Sequence, residues 1–114
     1  MKIADVSRKT GLSAHTIRYY EKQGLVKTPA KDASGHRAFS EKEVDLLNWV
    51  ACLKKSGMSL NKIKTYVAAF EADDSPLATD ILEQHLLKLK NQQEDIHHYI
   101  DVTSEKIKRL KGLT

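Results

Sequence analysis

The chain has very little cysteine: Cys52 is the only one in 114 residues. A lone thiol excludes a disulfide within the chain and any thiolate-rich metal site built by one copy. Long apolar runs are missing too. Nothing approaches the roughly 18 residues that span a bilayer, and the opening "MKIADVSRKT" turns polar too soon for a signal peptide, so a cytoplasmic protein is expected. The length suits one modest domain, or a small domain with an appended element, and leaves little material for a deep catalytic cleft. No histidine lies within two turns of Cys52 to serve as its base. An enzyme is therefore not expected, and neither is a cofactor or a resident metal.

Positive charge is present, and it is placed unevenly. Nineteen Lys and Arg oppose fifteen Asp and Glu, a formal net charge of +4. Within residues 1–40 the balance is eight (Lys2, Arg8, Lys9, Arg18, Lys22, Lys27, Lys31, Arg37) against three (Asp5, Glu21, Asp32), an excess of five at that end. A cationic surface of this kind has nucleic acids or anionic surfaces as its usual partners.

Caps and periodicity predict five helices and little strand. The first covers about Ile3 to Lys9 and stops at "TGLS"; Ser13 caps the second, about Ala14 to Gln23, and Gly24 ends it. Two short helices around a glycine turn, with Val6, Leu12, Ile17 and Tyr20 inward, have helix-turn-helix spacing. On the second helix His15, Arg18, Tyr19 and Lys22 point away from Ile17 and Tyr20. Arg18 can reach guanine edges or phosphates, Tyr19 can donate its hydroxyl to a phosphate, and Thr16 adds a hydroxyl near the helix start. A solvated face carrying an ordinary arginine is the plain alternative for one helix taken alone.

Residues 26–28 and 36–39 read as a hairpin around a Pro- and Gly-containing loop, which after a helix-turn-helix makes a wing. Arg37 would then bring a cation to the DNA backbone. Phe39 has two readings, a ring at the backbone or a core side chain. Ser40 and Glu43 form a capping box that opens a third helix, ended by Gly57. Ser59 opens a fourth, to about Ala72, and Ser75-Pro76 opens a fifth, with serine as cap and proline at the first helical position.

The fifth helix carries a seam. Leu82, Leu86, Leu89, Gln93, Ile96, Ile100, Thr103, Ile107 and Leu110 alternate spacings of four and three, a heptad pattern. A helix of that length exposes an apolar stripe that a small domain does not cover, and the simplest partner is a second copy. Leu82, Leu86, Leu89, Ile96, Ile100, Ile107 and Leu110 are the expected dimerisation residues. Gln93 and Thr103 restrict register without, by themselves, choosing between parallel and antiparallel pairing.

In these residues the chain resembles MerR-family transcriptional regulators. "IADVSRKTGLSAHTIRYYEKQGLV" is similar to that family's opening helix-turn-helix, "GHRAFSEKEVDLL" to its wing and third-helix start, and "CLKKSGMSLNKIK" to the passage into its fourth helix. The resemblance implies a mainly α fold: a winged helix-turn-helix DNA-binding domain over 1–74 and an antiparallel coiled-coil dimerisation helix over 75–114. It implies a homodimer on double-stranded promoter DNA, one recognition helix per major-groove half-site. Activation would come from bending and untwisting a promoter whose two polymerase-recognition elements stand too far apart, so that RNA polymerase engages both. DNA contacts carried over from the family fall on Arg18, Tyr19, Arg37 and Phe39, with Ser13, Thr16 and Lys54 as secondary candidates. Many members have tyrosine where Phe39 stands.

As for the signal, larger members add a ligand-binding domain after the dimer helix, for which the sequence has no counterpart. Metal-sensing members place cysteines near the two ends of that helix; this sequence has none there. His85, His97 and His98 lie on it, but His97 and His98 diverge by about 100° and His85 is three turns away, so ordinary exposed histidines are expected. Cys52 falls with Glu41, Asp45, Asn48, Lys55 and Ser56, off the core face of the third helix. Lys55 one turn on can favour its thiolate, and Trp49 one turn back can shield it. Its "CLKKSGMS" setting resembles the small single-cysteine NmlR and AdhR branch, associated with formaldehyde, methylglyoxal and other electrophiles. A small semi-buried cysteine, with regulation by another effector or by none, is the competing expectation.

Overall fold

The computed structural model describes residues 1–26, 33 and 38–112. Among these residues it is helical throughout: α1 (Ile3–Thr10), α2 (Ala14–Lys22), α3 (Glu41–Lys55), α4 (Leu60–Glu71) and α5 (Ser75–Leu110). The chain divides into two units, Met1–Ala78 and Thr79–Thr114. Apart from Val26, Ala33, Ala38 and Phe39, the predicted hairpin and its loop lie outside the described residues.

The first unit is built around α3, which packs on α1 and on α4, while α1 also packs on α2. Val6, Ile17, Leu25, Leu47, Val50 and Ile63 have no measurable exposure and form its centre. The tight α1–α2 turn is stitched by side chains. The Thr10 hydroxyl donates to the Val6 carbonyl at 2.8 Å and accepts from the Leu12 N–H at 3.2 Å, and the Ser7 hydroxyl donates to the Leu12 carbonyl. Both backbone groups of Leu12, which lie beyond the end of α1, are thereby paired. Ser13 then caps α2, accepting from the Thr16 N–H at 3.1 Å.

The capping box at α3 forms reciprocally: the Glu43 N–H donates to Ser40 Oγ and the Ser40 N–H donates to Glu43 Oε1, both at 3.2 Å. The far end of α3 closes as a Schellman turn. Gly57 at φ +101° donates to the Lys54 carbonyl, and Met58 donates to the Leu53 carbonyl. The positive φ is the reason for glycine, and the turn delivers Met58 into the core.

Helix α4 ends with the same pair of bonds, Asp73 N–H to Phe70 O and Asp74 N–H to Ala69 O, but here Asp73 takes the left-handed conformation at φ 55°. The start of α5 differs by one residue from expectation. Asp74, not Ser75, is the cap: its carboxylate accepts from the Leu77 N–H at 3.2 Å and its carbonyl accepts from the Ala78 N–H at 3.0 Å. Ser75 and Pro76 are the first two helical residues, where a proline's missing N–H goes unmissed.

The second unit consists of the rest of α5. Ile81 and His85 are the buried residues of that helix. His85, expected to be exposed, lies one turn after Ile81, a spacing that sets both side chains on one face. Beyond it the apolar positions open to solvent: Leu86, Ile96, Ile100 and Leu110 are each half exposed or more. With 36 residues the helix is about 54 Å long.

Candidate nucleic-acid interface

Helix α2 is held by its inner face, where Ile17 and Tyr20 are buried and Leu25 follows them into the core. The outer face presents His15, Arg18, Tyr19 and Lys22 to solvent. Burial raises the Tyr20 phenol above its ordinary value, and the neighbouring Tyr19 adds to the shift. Tyr20 therefore serves as a neutral core ring, while Tyr19, its ring centroid 6.2 Å away, is 43% exposed. Adjacent tyrosines thus take opposite tasks, one packing and one free to donate a hydrogen bond.

Ser13 and Thr16 meet at the start of α2, their hydroxyl oxygens 2.9 Å apart. Their first task is to cap the helix that carries Arg18 and Tyr19. Lys54 is exposed in the last turn of α3. Arg37 lies outside the described residues.

Phe39 needs correction as a DNA contact. Its ring is only 3% exposed, so the core reading holds, and a buried ring has no face to offer a phosphate. Its backbone is fixed as well: the Phe39 N–H donates to the Met1 carbonyl and the Met1 ammonium donates to the Phe39 carbonyl, each at 2.7 Å. These paired bonds anchor the chain just before α3.

One contact had no signal in the sequence. Lys64 Nζ on α4 donates to Gln23 Oε1 at 3.2 Å, joining α4 to the C-terminal end of α2 across 41 residues. A cation there also complements the negative end of the α2 dipole. The bond braces α2 at the end opposite its Ser13 cap.

Cys52 is exposed on α3. The indole of Trp49, one turn earlier, does not lie free over it: its N–H donates to the Tyr66 hydroxyl on α4 at 3.1 Å, and Tyr66 stacks with Phe70 at 6.3 Å. The only tryptophan therefore ties α3 to α4 on the stretch of surface that carries the thiol. His97 and His98 are exposed, and among the described residues no three His, Cys, Asp or Glu side chains gather as a metal-binding group. Nor is any described helix long and apolar enough to cross a membrane.

Residues 1–69 match the family model for MerR HTH family regulatory proteins. The chain belongs to the MerR family. It is 34% identical over 93 residues to an uncharacterized HTH-type transcriptional regulator of Haemophilus influenzae; the match covers 82% of this chain and 65% of that protein. Among solved structures, a putative MerR-family regulator from Listeria monocytogenes superposes with TM-score 0.88 at 26% identity, covering 97% of this chain and 86% of that one. HiNmlR, described as a MerR family regulator lacking the sensor domain and bound to promoter DNA, superposes with TM-score 0.85 at 30% identity, covering 94% and 83%. As a MerR-family member the chain is a DNA-binding transcriptional regulator.

Proposed function

We propose that this MerR-family chain binds promoter DNA as a homodimer and activates transcription by bending and untwisting an overlong promoter spacer. Arg18 and Tyr19 of α2 carry the groove and backbone contacts, supported by Ser13 and Thr16 at the helix start, by Lys54, and by Arg37 from the wing. The observation that carries this reading is the outer face of α2, a cation and a phenol held out by a buried inner face in a chain of this family. The likeness to HiNmlR, solved on promoter DNA, supports it.

The signal is a reactive aldehyde or related electrophile, and Cys52 receives it. With formaldehyde, the Cys52 thiol releases its proton to water as the sulfur adds to the carbonyl carbon, the C–O π bond opens, and the resulting oxygen takes a proton back from water, leaving a neutral S-hydroxymethyl group. Nothing is oxidised and no group leaves. The adduct adds bulk at a surface where α3 is tied to α4, and it shifts the dimer toward the state that distorts DNA by its differential fit to the two states. Exposure of Cys52 supports this step.

In vitro transcription from the protein's own promoter region tests both parts. Wild type and Cys52→Ser are compared with and without formaldehyde or methylglyoxal. Activation by aldehyde in wild type alone, with a mass adduct on Cys52, is the expected result. Equal activation in all four reactions would replace the thiol switch with a constitutive DNA bender; aldehyde activation retained in Cys52→Ser would move the sensor elsewhere.

A further inference from the structure

Helix α2 has only nine residues, and Arg18 and Tyr19 stand in its second half. Its start is fixed by the Ser13 cap and by the stitched turn from α1. Its end is fixed differently. The Gln23 N–H donates to the Tyr19 carbonyl at 2.9 Å, Gly24 takes φ 76°, and the Leu25 N–H donates to the Tyr20 carbonyl at 2.9 Å. Gln23 thus closes the turn on which Tyr19 stands, and a separation of four residues sets its side chain on the Tyr19 side of the helix.

That side chain is held from another helix. Lys64 Nζ donates to Gln23 Oε1 at 3.2 Å, and the two ends of this bond differ in freedom. Lys64 follows the wholly buried Ile63 and precedes Val67, 2% exposed, by three residues, so its backbone moves only with the core. Two residues further along α4, the Tyr66 hydroxyl accepts the Trp49 N–H from α3 at 3.1 Å. Residues two apart on a helix diverge by about 200°, so α4 is fastened to α3 on one side and reaches Gln23 from the other. The anchored lysine therefore restrains the end of α2.

The chemistry of the pair suits a restraint placed beside DNA. A charged donor makes a hydrogen bond roughly twice as strong as one between neutral groups. Both side chains belong to half-buried residues, where water competes less. Lysine has donors and no acceptor, which fixes Gln23 with its amide oxygen toward α4. A glutamate in its place would hold Lys64 more tightly, but it would set a carboxylate one turn from the Tyr19 hydroxyl and repel the phosphate proposed to meet it. Glutamine keeps the restraint without the repulsion.

We infer that Lys64 is a positioning residue for DNA recognition: through Gln23 it sets the orientation in which α2 presents Tyr19 to the DNA backbone, without touching DNA itself. This rests on the reading of α2 above as the helix that meets DNA. Without the bond α2 keeps its cap and its buried face, but its last turn samples orientations that misplace Tyr19. Apparent affinity then falls with the fraction of molecules in the competent orientation.

Anisotropy titrations of the full-length protein on a fluorescent duplex of its own promoter region test this, at several salt concentrations. Each variant is titrated well below its melting transition, so that lost stability is not read as lost affinity. Gln23→Ala and Lys64→Met are each expected to weaken binding on the order of tenfold. The double variant should lose no more than either alone, because both changes remove one bond. Lys64→Arg, which keeps a donor, should recover most of the affinity. Tyr19→Phe supplies the readout that a purely structural role would not move: in that background Gln23→Ala should have little left to lose.

Additive losses, with the salt dependence of Lys64→Met shallower by about one, would make Lys64 a direct phosphate contact and overturn the inference. Wild-type affinity in both single variants would overturn it too, and an undiminished loss in the Tyr19→Phe background would break the link to Tyr19. Unchanged affinity in Arg18→Ala with Tyr19→Phe would instead overturn the reading of α2 on which the inference rests.

Discussion

The two units solve the problem of apolar surface in opposite ways. In Met1–Ala78, residues such as Leu47 and Ile63 are wholly buried against neighbouring helices of the same chain, whereas along α5 Leu86, Ile96, Ile100 and Leu110 remain half exposed or more. The first unit carries a core of its own. The second leaves its apolar stripe open within one chain. A fold can thus be complete at one end of a chain and leave apolar side chains uncovered at the other, and the difference is visible in which apolar residues stay wet.

The comparison breaks most visibly at the seam. Ile96→Asp with Ile100→Asp places carboxylates in the central layers of the proposed pair, and losing roughly 1.5–3 kcal/mol per apolar side chain weakens the dimer by more than about a thousandfold. Sedimentation velocity should show monomers, while circular dichroism should retain the unfolding transition of the first unit. A dimer that survives this change would mean that α5 is not its interface.

Leu47→Ala tests the other side. Removing a fully buried leucine from α3 should cost about 2–5 kcal/mol, measured by urea denaturation. The loss should be the same at every protein concentration, because the residue belongs to a core that one chain supplies; a strong concentration dependence would tie that core to the partner.

Smaller effects sharpen the boundary between the units. Asp74→Ala removes the cap of α5 and should cost about 1 kcal/mol in thermal melts. If Ser75 took over as cap, the loss would vanish. Asp73→Gly should stabilise by about 0.5 kcal/mol, since glycine relieves the left-handed backbone at φ 55° while giving back part of the gain in unfolded-chain entropy. A destabilised Asp73→Gly would show that the aspartate side chain matters more than the backbone it strains.

Most helices could be located from sequence because their ends are marked by local chemistry. Ser13, Ser40 and Ser59 cap the helices they were expected to cap, each accepting from the N–H three residues on. Gly24 and Gly57 mark ends through a conformation glycine adopts easily. The α4–α5 joint was misread by one residue because two acceptable caps, Asp74 and Ser75, stand side by side, and only the three-dimensional turn set by Asp73 decides which carboxylate or hydroxyl faces the free N–H groups. Helical periodicity likewise separated Arg18 and Tyr19 from Ile17 and Tyr20. It could not place Phe39, which depends on a bond pair with Met1, or reveal Lys64 and Gln23, which meet only through the packing of helices distant in sequence. His85 was missed as well, since periodicity assigns it a helix face but not how far that face is covered.

The bond from Trp49 to Tyr66 has an optical consequence. The chain contains a single tryptophan, and it stands one helical turn from its single cysteine. Indole emission responds to the hydrogen bonding and solvent contact of that one ring, so the protein carries its own fluorophore where α3 is fastened to α4. Chemistry at the thiol that loosens the fastening can be timed in unlabelled protein, on free DNA-binding units and on promoter complexes alike, as a change in the colour and intensity of one residue.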